Sequence, residues 1–171
     1  MAMRFLTIKA GALAALAAAM SAISAVPAMA QEWRVTPRPH TLNNGEIVCG
    51  LYSPRPDRSV GISVYDHSSD LIIKASSLVG IADGSDVVIR YPSGNSQRAT
   101  FLKEATDADT AMIEIPSVAD LNAMIDQFAT PGDFSVAVLG GRPTAFRISQ
   151  LPGASNEIAT LRACMEELDL G

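Results

Sequence analysis

From residue 47 onward, apolar and polar positions alternate in short runs about ten residues apart. Ile47–Tyr52 opens the series. Val60, Ile62 and Val64 then share one face, with Gly61, Ser63 and Tyr65 on the other. Leu71–Ala75, Asp86–Tyr91, Arg98–Lys103 and Ala111–Ile115 follow, and Asp66–Asp70, Asp83-Gly84-Ser85 and Ser93-Gly94-Asn95 punctuate them. Period-two alternation broken by Gly, Asn and Asp turns is the pattern of antiparallel strands. Phe134–Val138 and Thr144–Ser149 repeat it around Leu139-Gly140-Gly141-Arg142-Pro143, with Phe146 and Ile148 facing inward. Helical spacing occurs twice. Val118, Leu121, Ile125 and Phe128 recur behind Ser117, which has Asp120 three residues on, and Thr130-Pro131-Gly132 ends the run. Ile158, Leu161, Met165 and Leu168 form a second stripe, capped by Ser155 or Asn156. The expected fold is a single α+β domain over 31–171, mostly β. It is an antiparallel sandwich or curled sheet with two covering helices.

The two ends of the pattern differ. Residues 31–46 carry Trp33 and Thr36-Pro37-Arg38-Pro39-His40, where each X-Pro bond favours extended backbone, so they read as an N-terminal arm. Residues 1–30 read as a cleaved secretory signal peptide: Arg4 and Lys9, an alanine-rich stretch over Ala10–Val26, then Pro27 and Ala28-Met29-Ala30. The stretch is too short and too weakly apolar to span a bilayer, and no later segment approaches spanning length. The expected location is the periplasm, or the exterior by secretion, with no membrane span after cleavage.

Composition sharpens this once the leader is set aside. The full chain is 171 residues, 48% hydrophobic and net −5. Residues 31–171 hold 11 cations against 18 anions, a net charge of −7, and two lysines, Lys74 and Lys103. A surface of that sign does not suit a nucleic-acid partner, because affinity for phosphate comes from clustered cations. Cys49 and Cys164 both fall in this part of the chain. Cys49 alternates with Ile47 and Leu51, and Cys164 flanks the last helical stripe. In an oxidising compartment they are expected to pair; separate buried thiols, or Cys164 as a nucleophile, are the alternatives.

Candidate chemistry is sparse. Tyr65-Asp66-His67-Ser68-Ser69-Asp70 gathers a histidine, carboxylates and hydroxyls, the ingredients of a small hydrolase using His67. Catalytic groups usually converge from distant segments, however, and Asp and Ser in a hairpin connection bond their own backbone. Asp107 and Asp109 form a D-x-D pair with too few oxygens for a hard cation. His40 and His67 lack zinc spacing, so neither a metal nor another cofactor is expected. The concentration of Arg34, Arg38, Arg55 and Arg58 around prolines is the remaining feature. Arg55 and Arg58, with Tyr52 and Tyr65 on the strand faces opposite Cys49 and Val64, are the candidate binding residues. Expected function is non-enzymatic binding, with inhibition of a cell-wall hydrolase or other enzyme by a protruding loop as the alternative.

The second half of the chain resembles the invasion-associated locus B family of exported bacterial proteins. The resemblance lies in element order: strand Asp109–Ile115, helix Val118–Ile125, hairpin Phe134–Ser149, then Leu151-Pro152-Gly153-Ala154 leading into the helix Ile158–Leu168. It implies a small β-rich exported domain with an envelope or host-contact accessory role, the partner being an envelope or host protein. It brings no catalytic residues. Such proteins commonly carry a close cysteine pair before the first helix. Lys103–Ala111 contains none, so Cys49 and Cys164 would take over that stapling role.

Overall fold

The structure, a computed structural model, describes residues 32–103, 108–140 and 145–168. The leader, Asp107 and residues 141–144 lie outside them. Among the described residues ten strands form one continuous antiparallel sheet: β1 (Arg34–Val35), β2 (His40–Thr41), β3 (Ile47–Pro54), β4 (Arg58–Tyr65), β5 (Ser69–Ala75), β6 (Ser85–Arg90), β7 (Ser96–Lys103), β8 (Thr110–Glu114), β9 (Gly132–Val138) and β10 (Phe146–Leu151). Their lateral order is β1-β3-β4-β5-β8-β7-β6-β9-β10, with β2 also paired to β3. The sheet curls into a half-barrel, which resolves the sandwich-or-curl alternative. The arm is extended as expected, and clips onto β3 through Arg34↔Tyr52 and His40↔Val48.

Alternation fixes which face is inside. Cys49, Leu51, Val60, Ile62, Val64, Leu71, Ile73, Ala111 and Ile113 are buried, while Tyr52, Lys74 and Glu114 on the opposite parity are exposed. Two helices, α1 (Val118–Gln127) and α2 (Ser155–Glu167), fold onto this apolar concavity. Ser117 caps α1 as its sequence suggests: its Oγ accepts from the Asp120 N–H at 3.1 Å. In α1 the buried side chains are Leu121, Met124 and Ile125; Val118 lies on the solvent side of the first turn. In α2 neither Ser155 nor Asn156 caps. Ala154 occupies that position with no side-chain bond, and Ser155 Oγ instead donates to the Ala129 carbonyl at 3.0 Å.

Two devices lock the concavity. Cys49 on β3 and Cys164 on α2, both fully buried, are joined by a disulfide across 115 residues, with Cα atoms 6.0 Å apart. An aromatic cluster links the arm to the C-terminal half: Trp33 meets Phe128 at 5.4 Å, and Phe128 meets Phe134 at 5.5 Å. The Trp33 indole N–H donates to the Pro152 carbonyl at 2.6 Å. Trp33 is thus a core anchor, a role its place in a proline-rich arm does not announce. Close backbone approach explains Gly153, where a Cβ would stand 2.5 Å from the Ala129 carbonyl oxygen.

Candidate functional site: an arginine-lined seam

Curling brings the free edge of β10 opposite the loop that joins β3 to β4, and the gap between them is the site. Parity decides what faces it. Leu51 and Ser53 on β3 are fully buried, and Arg55, two residues on, continues that inward row past Pro54. Arg58 starts β4 on the same parity as Val60 and Ile62, opposite Ala75. Both arginines therefore turn back toward the core side and reach across to β10. Arg58 Nη1 donates to the Arg147 carbonyl at 2.7 Å, and Arg55 Nη2 reaches the Ser149 carbonyl at 3.4 Å. The second contact is at the limit of a hydrogen bond. These guanidiniums occupy carbonyls that an edge strand would otherwise leave open.

An open cleft of 330 Å³ lies at this seam, lined by Arg55, Pro56, Asp57, Arg58, Arg147 and Ser149, with Ile148 at its floor. A second hollow of 240 Å³ continues it, sharing Asp57, Arg58 and Arg147. Two carboxylates are already committed. Asp57 accepts from Arg58 Nε at 2.8 Å and is also bonded to Nη2. Asp133 holds Arg147 and accepts the Gln150 N–H at 3.0 Å. Those arginine contacts hold both carboxyls below the usual carboxylate range. Gln150 has φ +53 at a β-bulge between Ile148 and Leu151. Its exchange of a ladder bond for the Asp133 carboxylate fits that irregularity.

Arg55 is different. No carboxylate forms an ion pair with it among the described residues. Its Nε is buried without a hydrogen-bond partner, as is the Oγ of Ser53 on the same inward row. Burial first, then the neighbouring Arg58 charge, pushes its pKa down, and Asp57 only partly offsets this. Three cations and two carboxylates thus leave one guanidinium uncompensated at the mouth of an open cleft. Arg55 lines the cleft without a carboxylate of its own, so this site is chemically suited to an anionic oxygen pair, which a guanidinium fork engages through two parallel N–H bonds.

The four candidate binding residues do not form one patch. Arg55 and Arg58 line the seam, whereas Tyr52 and Tyr65 stand on the outer face of the sheet. Tyr52 lies across from Gly61, where a Cβ would come within 2.7 Å of the tyrosine Cβ. His67 sits on the exposed turn between β4 and β5. Its polar partners among the described residues are Asp66 and Glu46, the second at 3.9 Å. It lines neither seam cleft. Asp109 pairs with Lys74 at 3.3 Å, and no cluster of three metal-ligating side chains occurs among the described residues. A smaller hollow of 170 Å³ beside Tyr91 holds polar groups, but they bond one another: Gln127 Oε1 accepts from Asn95 Nδ2 at 2.7 Å, and Tyr91 donates to Gln97 at 3.0 Å. Among the described residues no helix is long and apolar enough to cross a membrane. Comparison with known proteins finds no matching family model, curated protein or solved structure.

Proposed function

We propose that this chain is an exported, non-catalytic binding protein of the cell envelope that holds an acidic segment of a partner protein in the seam cleft. The observation that carries the reading is Arg55, a partly buried guanidinium that lines an open cleft beside Arg58 and Arg147 with no carboxylate partner among the described residues. The overall charge narrows the ligand. A net charge of −7 over residues 31–171 repels extended polyanions at long range, so the seam selects a short acidic group rather than a nucleic acid. The leader-like first thirty residues and the long-range disulfide both suit an oxidising compartment outside the cytoplasm. The resemblance to the invasion-associated locus B family supports the same accessory role. The inhibitor alternative has less in its favour: the Pro54–Asp57 loop is drawn back onto β10 by its arginines, not extended as a wedge.

Calorimetric titration with a blocked Asp/Glu hexapeptide and its Asn/Gln counterpart tests this. The acidic peptide should bind, more weakly as salt rises, and its affinity should fall at least tenfold in Arg55→Ala. Equal binding of both peptides, or an Arg55→Ala variant that binds as wild type, would refute the assignment.

A further inference from the structure

The last strand of the sheet, β10, is paired on one side only, to β9. Along a strand, successive residues point their backbone groups to alternate sides, the N–H and C=O of one residue together. The carbonyls of Arg147 and Ser149 meet Arg58 and Arg55 across the seam, so the N–H groups of these two residues face it as well. Beyond the ladder to β9, no backbone group bonds either N–H among the described residues. Proteins commonly blunt such an edge with lysine, proline or a covering segment. Phe146–Leu151 contains neither residue, and its one charged side chain, Arg147, is held to Asp133 on β9. Among the described residues the cover is two guanidiniums.

The space beside this edge is a trough. Its β10 wall is the run of five residues from Ala145 to Ser149, passing through both adjoining hollows. At about 3.3 Å per residue that wall is roughly 13 Å long, room for an extended segment of about five residues. The opposite wall is no strand edge where it faces Ser149 and Arg147. There the Arg55 N–H bonds the Arg58 carbonyl at 3.0 Å within the β3–β4 turn, and what reaches across is side chain. A segment lying in the trough therefore meets backbone groups on one flank and cations on the other.

We infer that the acidic partner segment docks as an extended strand added to the free edge of β10. This rests on the acidic-segment reading of the cleft and specifies the bound conformation. The ligand's carboxylates take the guanidiniums of Arg55 and Arg58, and its N–H groups take the Arg147 and Ser149 carbonyls that those guanidiniums release. Its own carbonyls accept from the Arg147 and Ser149 N–H groups, so main-chain bonds supply affinity and the arginines supply selection. Pairing ends at the bulge between Ile148 and Leu151. A second copy of β10 does not suit this edge, because two-fold pairing would face Arg147 and its neighbouring arginines against their own counterparts.

Three blocked acidic hexapeptides of one sequence test the mode by calorimetric titration of the protein: unmodified, N-methylated at alternate residues, and N-methylated at every residue. A strand turns every second N–H toward its neighbour, so alternate methylation leaves one flank intact and should weaken binding by less than about threefold. Full methylation should weaken it at least about tenfold. Amide exchange followed by nuclear magnetic resonance should slow at Arg147 and Ser149 in the complex with the unmodified peptide. Equal binding of all three peptides overturns strand addition while leaving the charge-based reading of the cleft intact. Unchanged exchange at Arg147 and Ser149 in a saturated complex does the same. Loss of binding on alternate methylation also overturns it, since one free flank is all a strand at this edge needs. An unmodified peptide that fails to bind removes both the mode and the reading beneath it.

Discussion

Removing the Cys49–Cys164 bond should lower stability by an amount set mainly by the unfolded chain. The link closes a loop across 115 residues, most of the folded segment. In the chain-entropy treatment a loop of that length removes about 16 cal/mol/K from the denatured ensemble, or about 4.9 kcal/mol at 25 °C. Both cysteines are fully buried, so Cys49→Ala/Cys164→Ala adds a loss of packing on the order of 1 kcal/mol. A domain of this size unfolds with an entropy of roughly 0.3 kcal/mol/K, which converts the loop term to a fall in Tm of about 15 °C. The comparison is best made on wild-type protein refolded with and without reductant, which leaves the core side chains in place. Circular dichroism would follow the sheet, and Trp33, the single tryptophan, reports the arm by fluorescence. A fall of less than about 5 °C would refute the reasoning, because the bond would not then be restricting the denatured chain as calculated.

Two electrostatic predictions concern the β4–β5 turn and the start of β5. The His67 pKa is raised chiefly by its hydrogen bond with Asp66, so the pair supports the β4–β5 turn below the ordinary imidazole pKa and loses that support as pH rises through the folded value. Nuclear magnetic resonance titration of the imidazole should find its pKa lowered in Asp66→Asn; no change would contradict the pairing. Asp70 is raised by desolvation first and by Glu114 second. A carboxyl with a raised folded pKa favours the native state most when protonated, and that contribution disappears as pH climbs through the folded pKa. Asp70→Asn should therefore stabilise the fold at pH 7. Solvent screening keeps the gain within a few tenths of a kcal/mol, and it should vanish in acid. A variant less stable than wild type at pH 7 would refute the repulsion.

The strands were legible because the core lies on one side of the sheet, so burial follows every second residue through β3, β4, β5 and β8. Parity likewise placed Tyr52 and Tyr65 opposite Cys49 and Val64, on the face where they stand. Applied one step further, past Pro54, it also turns Arg55 inward with Leu51 and Ser53. The arginines therefore separate from the tyrosines that proximity in sequence had grouped with them. The lateral order of the strands was beyond local reading, because β5–β8 and β6–β9 join segments far apart in the chain. The seam exists only once those pairings curl the sheet and bring β10 to the β3–β4 loop. Trp33 was hidden for the same reason, since Phe128 and Pro152 are supplied from the other end of the chain. At α2 a good capping residue was present, but tertiary structure gave Ser155 a carbonyl on the preceding loop instead.

The account turns on whether Arg55 holds donors in reserve for a ligand, and its Nε–Hε group can be observed directly. In an arginine-labelled sample, the Arg55 Nε–Hε resonance, assigned by its loss in Arg55→Lys, should shift strongly on addition of the acidic hexapeptide. Its hydrogen exchange should slow, while the Asn/Gln peptide leaves it unchanged. A resonance indifferent to the acidic peptide at concentrations where calorimetry shows binding would contradict the account, because the ligand would then be held elsewhere.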